Sequence, residues 1–132
     1  MPRPVWSVPA DIARLVAAHP ELIWEDDSWA PIVLTVMGGT TYQGRAIPLA
    51  WQIAFEPKGL PDEVNAKLEN AHLDANGFGW STWISTAMGK RYPELESALH
   101  FDDESAACVI WVETEAACRC LMETVWELTG GA

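Results

Sequence analysis

The chain of 132 residues is poor in basic side chains, in cysteine and in long apolar runs. Eight lysines and arginines stand against nineteen aspartates and glutamates, so the formal net charge is −11. A surface with so few bases repels nucleic acid and anionic membranes, and neither is expected as a partner. No apolar stretch has the length of a signal peptide or of a membrane-spanning helix, so the cytoplasm is the expected compartment.

The chain also lacks sequence motifs of common catalytic and metal sites. Phosphate-binding loops, nucleophile elbows, HExxH zinc motifs and CxxC pairs are all absent. Cys118 and Cys120 are two residues apart in a predicted helix, so they point to different sides and favour neither a disulfide nor a joint metal site. We therefore predict no catalytic residue, no cofactor and no metal, and a protein that is not an enzyme.

What the chain does have is an uneven distribution of charge. Residues 92–132 contain nine carboxylates and one base, whereas residues 1–91 contain ten carboxylates and seven bases. Concentrated charge of one sign adds nothing to fold stability. It speeds and selects the approach of an oppositely charged surface, so we expect a basic protein as the partner.

Apolar periodicity predicts a single α+β domain over residues 1–132, a small and mostly antiparallel sheet with helices packed on one face. The predicted helices cover 9–19, 60–73, 80–88 and the segment after Thr114, which is the expected N-cap. The predicted strands cover 31–37, 47–55 and 108–112. Turns are expected at 25–27, 38–41 and 76–79, and Gly89 is expected to end the third helix.

The eight tryptophans divide between core and surface. Trp51, Trp80 and Trp83 lie on apolar stripes and are predicted to be core. Trp111 lies on the second face of the last strand, next to Glu113, and an aromatic beside charge is typical of a binding hot spot. A covered sheet face explains Trp111 equally well, and Trp126 on the last helix raises the same question.

The segment from His100 to Glu104 groups an imidazole with the carboxylates of Asp102, Asp103 and Glu104. Hard cations bind clustered oxygens, so a metal-dependent enzyme is one alternative hypothesis. Adjacent carboxylates on a loop rarely converge, however, and the glycine of a calcium-binding loop is missing. A solvated acidic loop is the favoured interpretation.

Residues 73–128 resemble the immunity protein 51 family of bacterial polymorphic-toxin and contact-dependent competition systems. The matching segments are Asn76-Gly77-Phe78-Gly79-Trp80, Tyr92-Pro93-Glu94-Leu95, Phe101-Asp102-Asp103-Glu104-Ser105-Ala106-Ala107-Cys108, Glu115-Ala116-Ala117 and Leu121. The resemblance implies a cytoplasmic inhibitor that binds one toxin, and it implies no shared catalytic residues.

The leading hypothesis from the sequence is thus an immunity protein that neutralises a cognate toxin, a nuclease being the kind that the charge favours. The predicted interface residues are Asp102, Asp103, Glu104, Trp111 and Glu113. Besides this hypothesis and the metal-dependent enzyme, a third hypothesis is a structural or regulatory homodimer whose tryptophan-rich face packs on a second copy.

Overall fold

The computed structural model describes residues 3–130. Its α-helices, numbered along the chain, are α1 (Ile12–Ala18), α2 (Asp62–Asn70), α3 (Gly77–Arg91) and α4 (Glu115–Leu128). Its strands are β1 (Ile23–Asp26), β2 (Val33–Met37), β3 (Thr40–Tyr42), β4 (Arg45–Ile47), β5 (Ala50–Phe55), β6 (His100–Phe101) and β7 (Cys108–Val112). Short 3₁₀ helices cover Pro57–Gly59 and Pro93–Ala98. No helix within the described range is long and apolar enough to cross a membrane.

Five strands form one sheet in the order β1-β2-β5-β7-β6, and every neighbouring pair is antiparallel. The strands β3 and β4 form a separate hairpin. Helices α3 and α4 contact β7, α4 also contacts β5, and α1 contacts β1 and β2. The predicted α+β fold, with a small antiparallel sheet and helices packed against it, is confirmed.

Alternation along the central strands decides which side chains reach the main core. Across the ladder between β5 and β7, Ile53 lies opposite Ile110, and both side chains are fully buried. Trp51 and Trp80 are also buried in this core, as predicted, while Trp83 is half-buried against it. The large apolar side chains on this face of the sheet supply most of the hydrophobic stabilisation.

Both long helices begin with a side-chain cap. The Asn76 side-chain oxygen accepts a hydrogen bond from the Gly79 N–H at 2.9 Å at the start of α3. At the start of α4, Thr114 Oγ1 accepts from the Ala117 N–H at 3.2 Å, so the predicted N-cap is confirmed. The turn expected at 76–79 is therefore the capped first turn of a helix.

The expectation that Gly89 ends the third helix is wrong. Helix α3 continues to Arg91, and the Tyr92 N–H still donates to the Met88 carbonyl at 2.7 Å. Glycine inside a helix costs only about 1 kcal/mol. Gly89 also leaves room for the following 3₁₀ helix, since a Cβ there would lie 2.5 Å from a carboxylate oxygen of Glu96, and the helix ends two residues later than predicted.

The predicted turns at 25–27 and 38–41 are also partly wrong. Ile23–Asp26 is strand β1, because its backbone pairs with β2 and polar side chains are tolerated at a sheet edge. Gly39 does turn the chain, with a φ of +68°, but Thr40 already belongs to β3. The predicted strand 47–55 is broken, since Arg45–Ile47 pairs with β3 and only Ala50–Phe55 joins the sheet.

Candidate partner-binding surface

The predicted acidic loop follows the edge strand β6 and consists of Asp102, Asp103 and Glu104. The Asp102 N–H donates to the Val109 carbonyl at 2.9 Å, which continues the pairing of β6 with β7. Glu104 and Ala107 exchange two backbone hydrogen bonds, at 3.0 and 3.2 Å, and so close a tight turn. This backbone pairing fixes the acidic loop at the edge of the sheet.

Asp103 has a structural role, because its side chain forms hydrogen bonds within the protein. Its Oδ1 accepts a hydrogen bond from the Ser81 hydroxyl at 2.6 Å and another from the Val109 N–H at 2.8 Å. Since Ser81 lies on α3 and Val109 on β7, this carboxylate joins the helix to the sheet. Asp103 thus positions the loop, and its neighbours Asp102 and Glu104 are the exposed carboxylates.

Ser81 also contacts the Cys108 thiol, with its oxygen 3.2 Å from the sulfur. Burial raises the pKa of this thiol to about 12, so Cys108 stays protonated near neutral pH. Cys108 is fully buried and serves as a small hydrophobic side chain in the core.

Two motif segments that are far apart in sequence meet at the start of α3. The Gly77 N–H donates to the Ser105 carbonyl at 3.0 Å. A Cβ atom at Gly77 would lie only 1.9 Å from the Glu104 carbonyl oxygen and 2.1 Å from that of Ala107. Only glycine permits this approach, so the turn before α3 and the acidic loop form one unit.

A groove along α3 is lined by side chains of this helix, by Asp103 of the acidic loop and by two exposed aromatic rings. Phe78 is 55% exposed and Phe101 is 40% exposed. The groove has a volume of about 380 Å³, and Asp103 and hydroxyl-bearing side chains of α3 line its floor. We call it the α3 groove; its lining residues are Phe78, Ser81, Thr82, Ser85, Thr86, Phe101 and Asp103.

Phe78 and Phe101 are not among the interface residues predicted from the sequence. A signal for them was present, because Phe78 lies off the stripe that begins at Trp80, and Phe101 directly precedes three carboxylates. The predicted aromatic residue of the interface was instead Trp111, on the apolar strand 108–112.

Trp111 is 7% exposed, because the hairpin of β3 and β4 covers this part of the outer sheet face. The imidazole of His100 stacks on the indole, with ring centroids 4.1 Å apart. Tyr42 of β3 meets the same indole edge-on at 5.2 Å. A hairpin, and not a helix, therefore covers Trp111, and a partner would contact little of its surface directly.

Glu113 fixes the hairpin to the end of β7. The Arg45 guanidinium donates to both carboxylate oxygens of Glu113, at 3.0 and 2.9 Å, and His100 Nε2 lies 3.3 Å from Oε2. The hydrogen bond from Arg45 lowers the pKa of Glu113, and the attraction of Arg45 and of His100 acts in the same direction. Glu113 was predicted as an interface residue, but its negative charge is already compensated by Arg45.

Other acids of residues 92–132 are also paired with bases from earlier in the chain. Arg3 lies 3.5 Å from Glu123, and Arg91 forms an ion pair with Glu127. Asp102 and Glu104, by contrast, form no ion pair within residues 3–130. The acidic excess that remains available to a partner therefore includes the two exposed carboxylates beside the α3 groove.

The side chains of His100 and the acidic loop do not form a common centre. His100 faces Trp111 and Glu113, whereas Asp103 is bonded to Ser81 and to β7. Across residues 3–130 no group of three or more His, Cys, Asp or Glu side chains is placed to hold a metal ion. The geometry gives the metal hypothesis no support.

The tryptophans do not form an exposed face. Five of the eight are buried and three are half-buried. Trp126, whose position the sequence left open, is 6% exposed and packs edge-on against Trp29, with centroids 5.7 Å apart. The homodimer hypothesis therefore lacks the surface on which it was based.

Comparisons with models of protein families, with curated proteins and with solved structures gave no match to this chain. The resemblance to the immunity protein 51 family consequently stays an expectation based on short motifs.

Proposed function

We propose that this chain is an immunity protein that binds a cognate bacterial toxin and neutralises it by direct, stoichiometric contact. The observation that carries the proposal is the combination of two exposed phenylalanines with two exposed, unpaired carboxylates at one edge of the molecule. No metal-binding group competes with this surface as a candidate functional site within residues 3–130.

The aromatic side chains supply what a binding hot spot needs. Phe78 and Phe101 both line the α3 groove. The hydroxyls of Thr82 and Thr86 in the same lining donate to backbone carbonyls of α3, and their oxygens can still accept hydrogen bonds from a partner. Binding energy concentrates on a few such anchors, while surrounding polar contacts exclude water. Both rings are held by rigid elements, since Phe78 lies in the capped first turn of α3 and Phe101 in β6.

The charge determines the kind of partner. Asp102 and Glu104 lie beside the α3 groove in a protein of net charge −11. The field of this charge raises the association rate constant for a basic partner above the value for neutral partners, which is about 10⁵–10⁶ M⁻¹s⁻¹. Toxins that act on nucleic acid carry basic clefts, so a nuclease is the partner that charge complementarity favours.

The proposal predicts that a large toxin is encoded beside the gene of this chain, and the test uses that protein. Its carboxyl-terminal domain is expressed under an inducible promoter in a susceptible bacterium, with and without this chain. We expect growth arrest in the first case, normal growth in the second, and a 1:1 complex after purification of both proteins. A toxic domain that neither binds this chain nor is neutralised by it would contradict the proposal.

Three double variants locate the interface. Phe78→Ala with Phe101→Ala is expected to speed dissociation by at least about tenfold, because the anchors are lost. Asp102→Asn with Glu104→Gln is expected to slow association and flatten its salt dependence. The matched control is Glu25→Gln with Glu69→Gln, which removes the same charge from exposed positions away from the α3 groove.

A further inference from the structure

A second concavity is lined by the hairpin strand β3 and shares Phe101 with the α3 groove. We call it the hairpin cleft. Its volume is about 210 Å³, and it extends from the hairpin to the first residue of the acidic loop. The side chains that matter for recognition are Thr40, Thr41, Tyr42, Phe101, Asp102 and Trp111.

The chemistry of this lining favours a positively charged group. The half-buried ring of Tyr42 and the exposed ring of Phe101 both line the cleft, and the faces of such rings attract ammonium and guanidinium ions. Trp111 also lines the cleft but contributes little surface, because it is 7% exposed and stacked on His100. Asp102 adds a carboxylate that forms no ion pair within residues 3–130. No lysine or arginine is among the lining residues, so nothing in the lining repels a cation.

The arginine that the hairpin itself carries is already bound to a carboxylate. Arg45 lies on the hairpin, but both ends of its guanidinium are bonded to Glu113, at 3.0 and 2.9 Å. A bidentate pair of this kind fixes the guanidinium plane. Asp102 and the aromatic rings are therefore left for a group from outside.

The size of the hairpin cleft points to one side chain. Pockets for drug-sized ligands measure roughly 300–1,000 Å³. A volume of about 210 Å³ is below that range and suits a single long side chain better than a cofactor or a nucleotide. We propose that the hairpin cleft binds one lysine or arginine side chain of the protein partner, with Asp102 as its counter-ion and the rings of Tyr42 and Phe101 in contact with it.

This inference rests on the proposed function for the source of the side chain, but its chemistry can be tested alone. Agmatine, which is decarboxylated arginine and carries a guanidinium at one end and an ammonium at the other, is titrated into the full-length ¹⁵N-labelled protein, and n-butanol serves as the neutral probe. The readout is the set of indole N–H signals in NMR spectra, with Trp111 assigned from the Trp111→Phe variant. Calorimetric titration with agmatine gives the affinity without that assignment, should Trp111→Phe fail to fold.

We expect agmatine to shift the Trp111 signal to saturation with a dissociation constant on the order of millimolar, as for a small fragment with few contacts. n-Butanol should give no saturable shift. Asp102→Asn should weaken agmatine about threefold to fivefold, the effect of losing one exposed ion pair. Glu69→Gln, which removes one exposed charge from α2, should leave the affinity unchanged.

An unsaturated response to agmatine would overturn the proposal, as would equal binding of n-butanol or an unchanged affinity in Asp102→Asn. If agmatine fails while the neighbouring toxin is still neutralised, the hairpin cleft is excluded and the proposed function stands. If agmatine binds but no toxin is neutralised, the cation site stands and the proposed function fails.

Discussion

Neighbouring residues of β7 face two different environments. Ile110 is fully buried between the sheet and the helices, whereas Trp111 points to the outer face, where it contacts the imidazole of His100 and the ring of Tyr42. The inner face of β5 likewise carries Ile53, opposite Ile110, while its outer face presents Gln52 opposite Trp111. One face is apolar and closed by helices, and the other is mixed and closed only in part by a hairpin.

This difference separates stability from recognition. Large apolar side chains between sheet and helices stabilise the fold, and any loss there leaves a cavity. On the outer face and at the edge after β6, small and polar side chains leave clefts that a partner could enter. Pairs of residues that are close in sequence or alike in chemistry can test this separation.

The largest effect is expected from two substitutions on adjacent residues of β7. Ile110→Ala should lower the free energy of unfolding by about 2–5 kcal/mol, because the side chain is fully buried. Val109→Ala should cost about 1 kcal/mol, because Val109 is half-buried on the outer face. Denaturant unfolding measures both, and equal losses would show that the two faces do not differ in the way described.

A glycine pair tests whether close approach fixes the acidic loop. Gly77→Ala should cost about 3 kcal/mol, since its Cβ would overlap the carbonyl oxygens of Glu104 and Ala107. Gly59→Ala should be neutral or slightly stabilising, because a Cβ there meets nothing within 4 Å. A neutral Gly77→Ala in thermal unfolding would mean that the turn can move without loss and that the loop is not fixed by this contact.

Substitutions of the adjacent residues Asp102 and Asp103 should likewise differ in their effect on stability. Asp103→Ala leaves the Val109 N–H and the Ser81 hydroxyl without their carboxylate partner, and it should cost about 1–3 kcal/mol of stability. Asp102→Ala should change stability by less than about 0.5 kcal/mol, because its side chain is exposed. Its effect is expected on partner binding instead. Similar stability losses for the two variants would contradict the division into a structural and a binding carboxylate.

The sequence predicted the elements with strong local signals. Strand 108–112 is apolar and β-branched, and the structure has it at those residues. Thr114 has the chemistry of an N-cap, and it caps α4. Edge strand β1 and the hairpin were missed, because Glu25 and Asp26 carry no strand signal and pairing with β2 is a tertiary effect.

The candidate site was also predicted only in part, because local sequence patterns do not show tertiary contacts. The acidic loop was visible in sequence, but its division into an internal anchor, Asp103, and free acids depends on contacts with α3 and β7. The pairing of Glu113 with Arg45 joins residues 68 positions apart, which no local pattern reveals. Counting the carboxylates of residues 92–132 in the sequence therefore overestimates the negative charge that is exposed to a partner.

The smallest expected effect concerns the ion pair that holds the hairpin on the outer face. The hydrogen bond from Arg45 lowers the pKa of Glu113 below its ordinary value of 4.5, so the folded state binds this proton less readily than the unfolded chain. The resulting stabilisation is present above about pH 4.5 and is lost as the pH falls through the folded pKa. Urea midpoints of the native protein and of Glu113→Gln should therefore differ slightly near pH 6 and converge toward about pH 3, with Glu69→Gln as the control for a lost exposed charge. A difference that stays constant over this range would show that Glu113 does not act through its charge, and that the hairpin is held by packing around Trp111 alone.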